Sequence, residues 1–235
     1  MQTHILITGA SRGIGAAIAA ALATDATKLV ALSSADGDLA DPAVPDRLWQ
    51  ASLDRLDGRV DVLINNAGIF EANPLDADDA AWLDGWNRTL QVNLTASAAL
   101  CRHAVRHWQE RGAAGEQVGG RIVNVASRAA YRGDSPAHWH YAASKAGMVA
   151  MTKTIARAYA RDRILAFAIC PGFTMTGMAD EYLASRGGDK LLADIPLGRV
   201  AMPDEVGEMA RWCAMQAPAS MTGAVLDVNG ASYVR

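Results

Sequence analysis

Cysteine is scarce in this sequence. Its 235 residues include only three cysteines, Cys101, Cys170 and Cys213, at irregular spacing. An odd number at such spacing excludes a complete disulfide framework and fits no paired-cysteine pattern of a zinc site. The five histidines do not supply three histidines and an acid at metal-binding spacing. We therefore expect free thiols in a reducing cytoplasm and no catalytic metal.

Long apolar runs and a strong charge of either sign are also missing. No stretch approaches the roughly 20 apolar residues that span a bilayer, and the opening "MQTHILITGA" lacks the basic segment of a signal peptide. The net charge of −3 provides no basic surface for nucleic acid or for anionic lipid. These absences predict a soluble protein that binds neither nucleic acid nor membrane.

Short apolar runs alternate with longer helical patterns along the chain. "HILITG", "KLVALSS", "VDVLINNAG", "RIVNVAS", "ILAFAIC" and "AVLDVNG" have the composition of buried strands, and segments with apolar residues at helical spacing separate them. Strand–helix alternation with continuously apolar strands predicts a parallel sheet covered on both faces. No repeat or linker interrupts the pattern, so we predict an α/β fold in a single domain, residues 1–235.

A glycine turn joins the first strand to the first helix. "TGASRGIG" spans Thr8 to Gly15, and its glycines allow a sharp turn and a close approach of the backbone to a ligand. The following helix N-terminus offers free N–H groups, which suit a pyrophosphate. The spacing differs from G-x-G-x-x-G, because Ile18 stands where the third glycine would fall. The turn alone is compatible with dinucleotide binding and with plain packing.

Six short motifs follow one another in a fixed order. They are "TGASRGIG", "NNAG" (65–68), "QVNL" around Asn93, "IVNVAS" ending at Ser127, "YAASK" (141–145) and "PGFTMT" (171–176). This order resembles the classical short-chain dehydrogenase/reductase family over nearly the whole chain. The resemblance implies a Rossmann-type doubly wound parallel sheet, a nicotinamide cofactor and the interconversion of carbonyls and alcohols.

The resemblance also implies roles for individual residues. The catalytic residues would be Asn93, Ser127, Tyr141 and Lys145. The cofactor-binding residues would be Gly9, Ser11, Arg12, Gly13, Ile14, Gly15, Ser33, Ser34, Asp38, Leu39, Asn66, Ala67, Gly68, Tyr141, Lys145, Pro171, Gly172, Thr174 and Thr176. Asp38 and Leu39 resemble residues that flank the adenine, and Thr176 resembles a threonine near the nicotinamide.

The end of the second strand bears on the choice between NADP(H) and NAD(H). An acid there would bind the ribose 2′-hydroxyl and repel a 2′-phosphate, but the strand ends in Ser33 and Ser34. Arg12, inside the glycine turn, has a guanidinium that can bind a phosphate through two hydrogen bonds. Asp36 lies close enough to keep NAD(H) as the alternative. We predict NADP(H).

The segment after the second strand is unusually short. Only "ADG" separates Ser34 from "DLAD", whereas a parallel neighbouring strand needs a crossover of about a dozen residues. We therefore predict that the family's third, edge strand and the helix before it are reduced or missing.

Tyr141 and Lys145 are four residues apart, a spacing that places both side chains on one face of a helix. A nearby ammonium would favour the phenolate and lower the pKa of Tyr141, which would make it a general acid for reduction or a general base for oxidation. Ser127, at a strand end, can hold the substrate oxygen, with Ser135 as its rival. In relatives, an asparagine at the place of Asn93 loosens its helix and relays protons to the lysine.

Residues 173–196 have weak periodicity and several glycines, which is typical of a mobile substrate-binding lid. Its apolar members indicate a moderately hydrophobic ketone or secondary alcohol; they are Phe173, Met175, Met178, Tyr182 and Leu183. The resemblance implies a homo-oligomer, either a tetramer or a dimer. Two alternatives remain: a catalytically silent regulator that binds NADP(H), and an epimerase or dehydratase of the family's extended branch.

Overall fold

A sheet of parallel strands forms the centre of the molecule. The structure is a computed structural model that describes residues 2–116, 119–176 and 188–235. In this part of the chain six strands align in the order β2-β1-β3-β4-β5-β6, and every neighbouring pair is parallel. The strands are β1 (Thr3–Thr8), β2 (Thr27–Leu32), β3 (Val62–Asn65), β4 (Gly120–Val125), β5 (Ile164–Pro171) and β6 (Val225–Val228).

Helices connect the strands and cover both faces of the sheet. They are α1 (Gly13–Leu22), α2 (Val44–Arg55), α3 (Asp79–Leu90), α4 (Ala96–Ala113), α5 (Ala129–Arg132), α6 (Trp139–Tyr159), α7 (Gly188–Ala193) and α8 (Pro203–Met215). This arrangement is the predicted doubly wound α/β domain. Among the described helices, none is long and apolar enough to cross a bilayer.

Alternation of side chains along each strand divides the core into two layers. Leu6 faces a cluster that α2, α4 and α6 cover, whereas its neighbours Ile5 and Ile7 face a cluster that α1 and α8 cover. All three side chains are fully buried. Successive residues of a strand point to opposite faces, so the continuous apolar runs in the sequence reflect strands that are buried on both sides.

The predicted loss of an edge strand is confirmed. Residues 33–43, all described, form turns and bends between β2 and α2, and β2 is the edge of the sheet. Aspartates fix these turns by accepting backbone N–H groups: Asp36 from Ser33 at 2.8 Å and Asp38 from Ala40 at 2.9 Å. A crossover this short cannot return the chain to a new parallel strand, and α2 packs directly on the sheet through residues such as Trp49.

A wider helical turn separates α3 from α4. Residues Gln91–Thr95 form a single π-helical turn within an otherwise continuous helix, and Asn93 lies in its middle with its side chain fully buried. A π turn inside an α-helix is frequent at functional sites. The local loosening that the resemblance implied at Asn93 is therefore present in the backbone.

A chain of buried polar side chains ties α6 to the sheet. Asn65 Nδ2 donates to Asn124 Oδ1 at 2.9 Å, and Asn124 Nδ2 donates to Thr152 Oγ1 at 2.8 Å. None of the three residues is exposed to solvent. Buried polar groups are costly when unpaired, so this chain fixes the position of α6 relative to β3 and β4.

We expect Asn124→Ala to lower the free energy of unfolding by about 2–3 kcal/mol, because it leaves buried partners without a hydrogen bond. Urea denaturation measures the change. Asn87→Ala, at an exposed position of α3, is the control and should change stability by less than about 0.5 kcal/mol. Similar losses in both variants would show that the polar chain does not hold α6 in place.

Candidate active site

The glycine turn depends on residues without a Cβ. Gly9 has φ +69°, and a Cβ on Gly15 would lie 1.9 Å from the Gly9 carbonyl oxygen. Arg12 stands at the N-cap of α1 without a side-chain hydrogen bond to the helix, so the first-turn N–H groups keep no capping side chain. A narrow turn followed by an uncapped helix N-terminus fits the pyrophosphate of a dinucleotide.

The segment after β3 braces this turn. Asn66 Nδ2 donates to the carbonyl oxygens of Thr8 and Gly9 at 3.1 and 2.9 Å, and the Ala67 N–H donates to Thr8 Oγ1 at 3.2 Å. Gly68 lies beside the catalytic candidates, because a Cβ there would approach Lys145 Nζ at 3.4 Å. The structure thus brings together the first two predicted motifs.

The segment after β5 closes the other side of the turn. A Cβ on Gly13 would lie 3.0 Å from Thr176 Cγ2. Thr174 Oγ1 donates to the Gly172 carbonyl at 3.1 Å, and the Gly172 N–H donates to the Val228 carbonyl at 2.9 Å. These contacts place the predicted "PGFTMT" motif against the predicted phosphate-binding turn.

The remaining cofactor candidates of the glycine turn are accessible. Ser11 and Arg12 are exposed, and Ile14 packs against the apolar cluster of α1 and α8. Within the described residues, the Arg12 guanidinium has neither an ion pair nor a capping hydrogen bond. It is therefore available to a ligand.

The adenine side of the predicted site lies beside α3. Leu39 contributes its carbonyl oxygen, which accepts from Gln91 Nε2 at 3.3 Å, and Asp38 lies 3.9 Å from the Arg88 guanidinium. Ser33 and Ser34 follow β2 as predicted. The Asp36 carboxylate accepts both the N–H and the hydroxyl of Ser33, at 2.8 and 3.1 Å, so an acid does reach the end of β2.

Tyr141 and Ser127 meet at the carboxyl edge of the sheet. The Ser127 side chain interacts with the phenol and lowers its pKa, but burial is the larger effect and raises the pKa of Tyr141 to about 12. Ser127 Oγ also accepts the Ala129 N–H at 3.1 Å. The rival Ser135 is exposed and pairs with His138 Nδ1 at 2.6 Å instead. Ser127 is therefore the serine that contacts the tyrosine.

Lys145 lies below the tyrosine, on the same face of α6. Its Nζ donates to the Val125 carbonyl at 2.9 Å and lies 5.8 Å from the centre of the Tyr141 ring. Burial lowers the pKa of Lys145 to about 8. The prediction that Lys145 lowers the pKa of Tyr141 is therefore wrong for this arrangement, because desolvation of the phenol dominates and the ammonium points at a backbone carbonyl.

Asn93 joins the π turn to the segment after β3 and to α6. Its Oδ1 accepts the Ile69 N–H at 2.8 Å, and its Nδ2 donates to the Ile69 carbonyl at 3.0 Å and to Ser144 Oγ at 3.2 Å. The side-chain amide is thus directed at protein partners. Its main-chain carbonyl also accepts from Ser97 Oγ, at 3.4 Å.

Several neighbours of the site were missed by the sequence analysis. Phe70 is 48% exposed, stacks on His138 with ring centres 3.9 Å apart, and meets the edge of Tyr141 at 4.8 Å. The Cys170 thiol is buried, and burial raises its pKa to about 11 while the Ser127 backbone lowers it. Arg128 follows Ser127 directly and is largely buried. Its charge immediately after a predicted strand end was the available sequence signal.

Part of the predicted lid, residues 173–196, lies outside the described residues. Met178, Tyr182 and Leu183 belong to that part. Within the described ranges, the Met175 N–H donates to the Ala201 carbonyl at 2.8 Å. In the same ranges, no group of three or more histidine, cysteine or acidic side chains is arranged to hold a metal ion.

The chain is similar to known reductases and dehydrogenases. A family model described as "Enoyl-(Acyl carrier protein) reductase" matches residues 30–231. A 3-oxoacyl-[acyl-carrier-protein] reductase from Synechocystis sp. is 34% identical over 248 residues, which cover 96% of this chain and 94% of that protein. The sequence similarity extends over essentially the full length of both chains.

Two solved structures share the fold over nearly their whole length. A 3-ketoacyl-(acyl-carrier-protein) reductase from Brucella melitensis, complexed with NADH, gives a TM-score of 0.84 at 26% identity and covers 99% of this chain and 98% of its own. A single-residue variant of actinorhodin polyketide ketoreductase, with NADPH, gives 0.82 at 28% identity, with coverages of 97% and 96%. One similar protein therefore holds NADH and the other NADPH.

We expect Gly15→Ala to abolish dinucleotide binding, because its Cβ would overlap the Gly9 carbonyl oxygen and displace the turn. NADPH fluorescence titration measures the dissociation constant, and circular dichroism checks folding. Gly58→Ala is the control: it introduces a Cβ at φ +73° in a turn with no atom within 4 Å, so it should leave binding unchanged. A folded Gly15→Ala variant with parental affinity would exclude the turn as the binding site.

Proposed function

Because the chain belongs to the short-chain dehydrogenase/reductase family, we propose that it is an NADP(H)-dependent oxidoreductase. It transfers hydride between a nicotinamide and a carbonyl or secondary alcohol, and a bound nicotinamide supplies or accepts that hydride. The family membership supports hydride transfer in general. The cofactor preference and the roles of the residues below are our proposals.

The observation that carries the proposal is the contact between Tyr141 and Ser127 above a buried lysine. Ser127 is close enough to the Tyr141 phenol to lower its pKa, and Lys145 lies 5.8 Å from the centre of the tyrosine ring. Gly68 connects this group to the glycine turn through the segment 66–68. A proton donor, an oxygen-binding hydroxyl and a dinucleotide-sized turn therefore share the carboxyl edge of one sheet, where ligands of open α/β sheets bind.

Each residue has a role that follows from its surroundings. Tyr141, with a pKa of about 12, is protonated at neutral pH and donates its phenolic proton to the carbonyl oxygen during reduction. Ser127 donates a hydrogen bond to the same oxygen while negative charge develops there. Lys145 binds the nicotinamide ribose, and Asn93 connects Lys145 to solvent through the π turn.

The cofactor preference rests on charge near the ribose. Arg12 is exposed and, in the part of the chain that is described, has no anionic partner. A guanidinium in this place suits a 2′-phosphate. The Asp36 carboxylate is already engaged by Ser33 and lies 4.0 Å from the Arg55 guanidinium, which reduces its repulsion of a phosphate. We propose that the other residues predicted to bind the cofactor from the family resemblance also contact it.

The proposed substrate is a small carbonyl or alcohol of moderate hydrophobicity, and the proposed lid is the segment 173–196, of which residues 177–187 lie outside the described chain. Phe70 and His138 extend an aromatic surface from the edge of Tyr141, which suits an apolar group next to the reacting carbon. We also propose a homo-oligomer, as a tetramer or a dimer, in the cytoplasm.

We expect Tyr141→Phe to reduce the rate of NADPH-dependent ketone reduction by at least about 100-fold, because it removes the proton donor. NADPH affinity should stay within about threefold of the parent. Absorbance at 340 nm follows turnover against a panel of ketones, and fluorescence titration follows binding. Tyr131→Phe is the control, since its hydroxyl accepts from Arg235 at the surface instead. Tight NADPH binding without any reduction by the parent would favour a silent regulator.

We expect Arg12→Ala to weaken NADPH binding by about 10- to 100-fold and NADH binding by less than about threefold, because only NADPH carries the 2′-phosphate. Arg47→Ala, another exposed arginine, should change neither constant. Equal losses for both cofactors would contradict the NADP(H) preference. A loss of NADH affinity in Asp36→Asn would assign the ribose contact to the acid.

A further inference from the structure

The backbone of Arg128 belongs to the proposed active site. It directly follows Ser127, and its N–H donates to the Pro171 carbonyl at 2.9 Å, which joins the ends of β4 and β5. Its dihedral angles are helical, φ −56° and ψ −26°. Ser127 and Arg128 therefore belong to the turn that begins α5. Side chains of neighbouring residues point to opposite faces in a strand, but this rule does not apply in such a turn.

The guanidinium of Arg128 is buried and incompletely paired. Its side chain is 14% exposed, and in the described chain Nη1 has no hydrogen-bond partner. Asp194 forms an ion pair with Nη1 at 3.7 Å, a distance that is too long for a hydrogen bond. A buried donor without a partner is costly, and burial lowers the pKa of Arg128, although an arginine stays charged at neutral pH.

The neighbouring carboxylates of Asp194 and Asp134 do not supply the missing hydrogen bond to Arg128 Nη1. Asp194 is held by Arg132, whose Nη1 is 2.6 Å from the same carboxylate oxygen. Asp134 also favours the charged form of Arg128, but its carboxylate accepts the Ser135 N–H and is exposed. Buried arginine N–H groups are usually paired, but Nη1 of Arg111 is also buried without a partner, so an unpaired donor is not by itself evidence of a ligand. What distinguishes Arg128 is its place directly after Ser127, where an anionic group of a bound substrate would supply the missing partner.

We infer that Arg128 binds an anionic group of the substrate, a carboxylate or a phosphate, while Ser127 and Tyr141 hold the carbonyl that is reduced. This inference rests on the proposed function, since Ser127 and Tyr141 define where the reacting oxygen lies. The inference requires that both contacts fall within one small molecule, since Arg128 directly follows Ser127 in the chain. The substrate class is then a ketone that carries an acidic group and an apolar portion beside Phe70.

Matched charged and uncharged ketones test the inference. The first pair is 3-oxobutanoate and its methyl ester, which differ in the carboxylate. The second pair is acetoacetyl-CoA and the N-acetylcysteamine thioester of the same acyl group, which lacks the phosphates. We expect the parent to prefer the charged member of one pair. Arg128→Gln should lower kcat/KM for that member by about 10- to 100-fold, from the loss of a charged hydrogen bond, and for the uncharged member by less than about threefold. The pair that responds identifies carboxylate or phosphate.

Two further variants separate substrate binding from a structural role. Arg128→Lys keeps the charge without the planar fork and should recover part of the loss. Arg47→Gln, at an exposed arginine of α2, is the control and should affect both members of each pair equally. The inference is overturned if Arg128→Gln lowers both members equally, or if Arg47→Gln reproduces its selectivity.

Failure of the proposed function gives a different result. A parent that reduces the uncharged ketones without preferring a charged partner overturns the role of Arg128 and leaves the reductase proposal intact. A parent that reduces no ketone contradicts the reductase proposal. In that case, calorimetry would measure the binding of 3-hydroxybutanoate and of coenzyme A. Binding that Arg128→Gln weakens at least about tenfold would still support the anion site. If neither ligand binds, the anion site is overturned.

Discussion

A buried ammonium group joins helix α6 to the centre of the sheet. Lys145 donates to the Val125 carbonyl at 2.9 Å with only 4% of its surface exposed. Removing a charge from water is costly unless polar partners replace the solvent. The Val125 carbonyl, at the end of β4, must therefore be free to accept the hydrogen bond from Lys145. Tyr141 lies one turn of α6 before Lys145. Its position, and with it the interaction with Ser127, depends on this contact between α6 and β4.

The reduced sheet shows which parts of the fold the proposed site requires. The residues of the proposed site come from the carboxyl ends of β1 to β5, from α6 and from the π turn, and none comes from an outer strand beyond β2. In place of that strand, turns closed by aspartates place Asp38 and Leu39 beside α3. An edge strand has one neighbour, so its loss removes hydrogen bonds from β2 alone, while the ligand-binding edge keeps its geometry.

The environment of the catalytic candidates could be predicted only in part. The spacing of Tyr141 and Lys145 indicated a shared helix face, and both residues do lie together. The direction of the tyrosine pKa was wrong, because it depends on desolvation and on where the ammonium points. Burial of each side chain and the direction of each donor arise from contacts between distant segments, which no local spacing records.

The sequence by itself determined the parallel α/β fold, the missing edge strand and the order of the motifs along the sheet edge. These features follow from local rules: apolar strand runs, the length of one crossover and glycines that permit a tight turn. Only the tertiary structure decided that Ser127 and not Ser135 meets Tyr141, and that Arg128 is buried with an open donor. These facts depend on packing between β4, β5, α6 and the segment around Asp194, because burial and pairing are properties of the assembled chain.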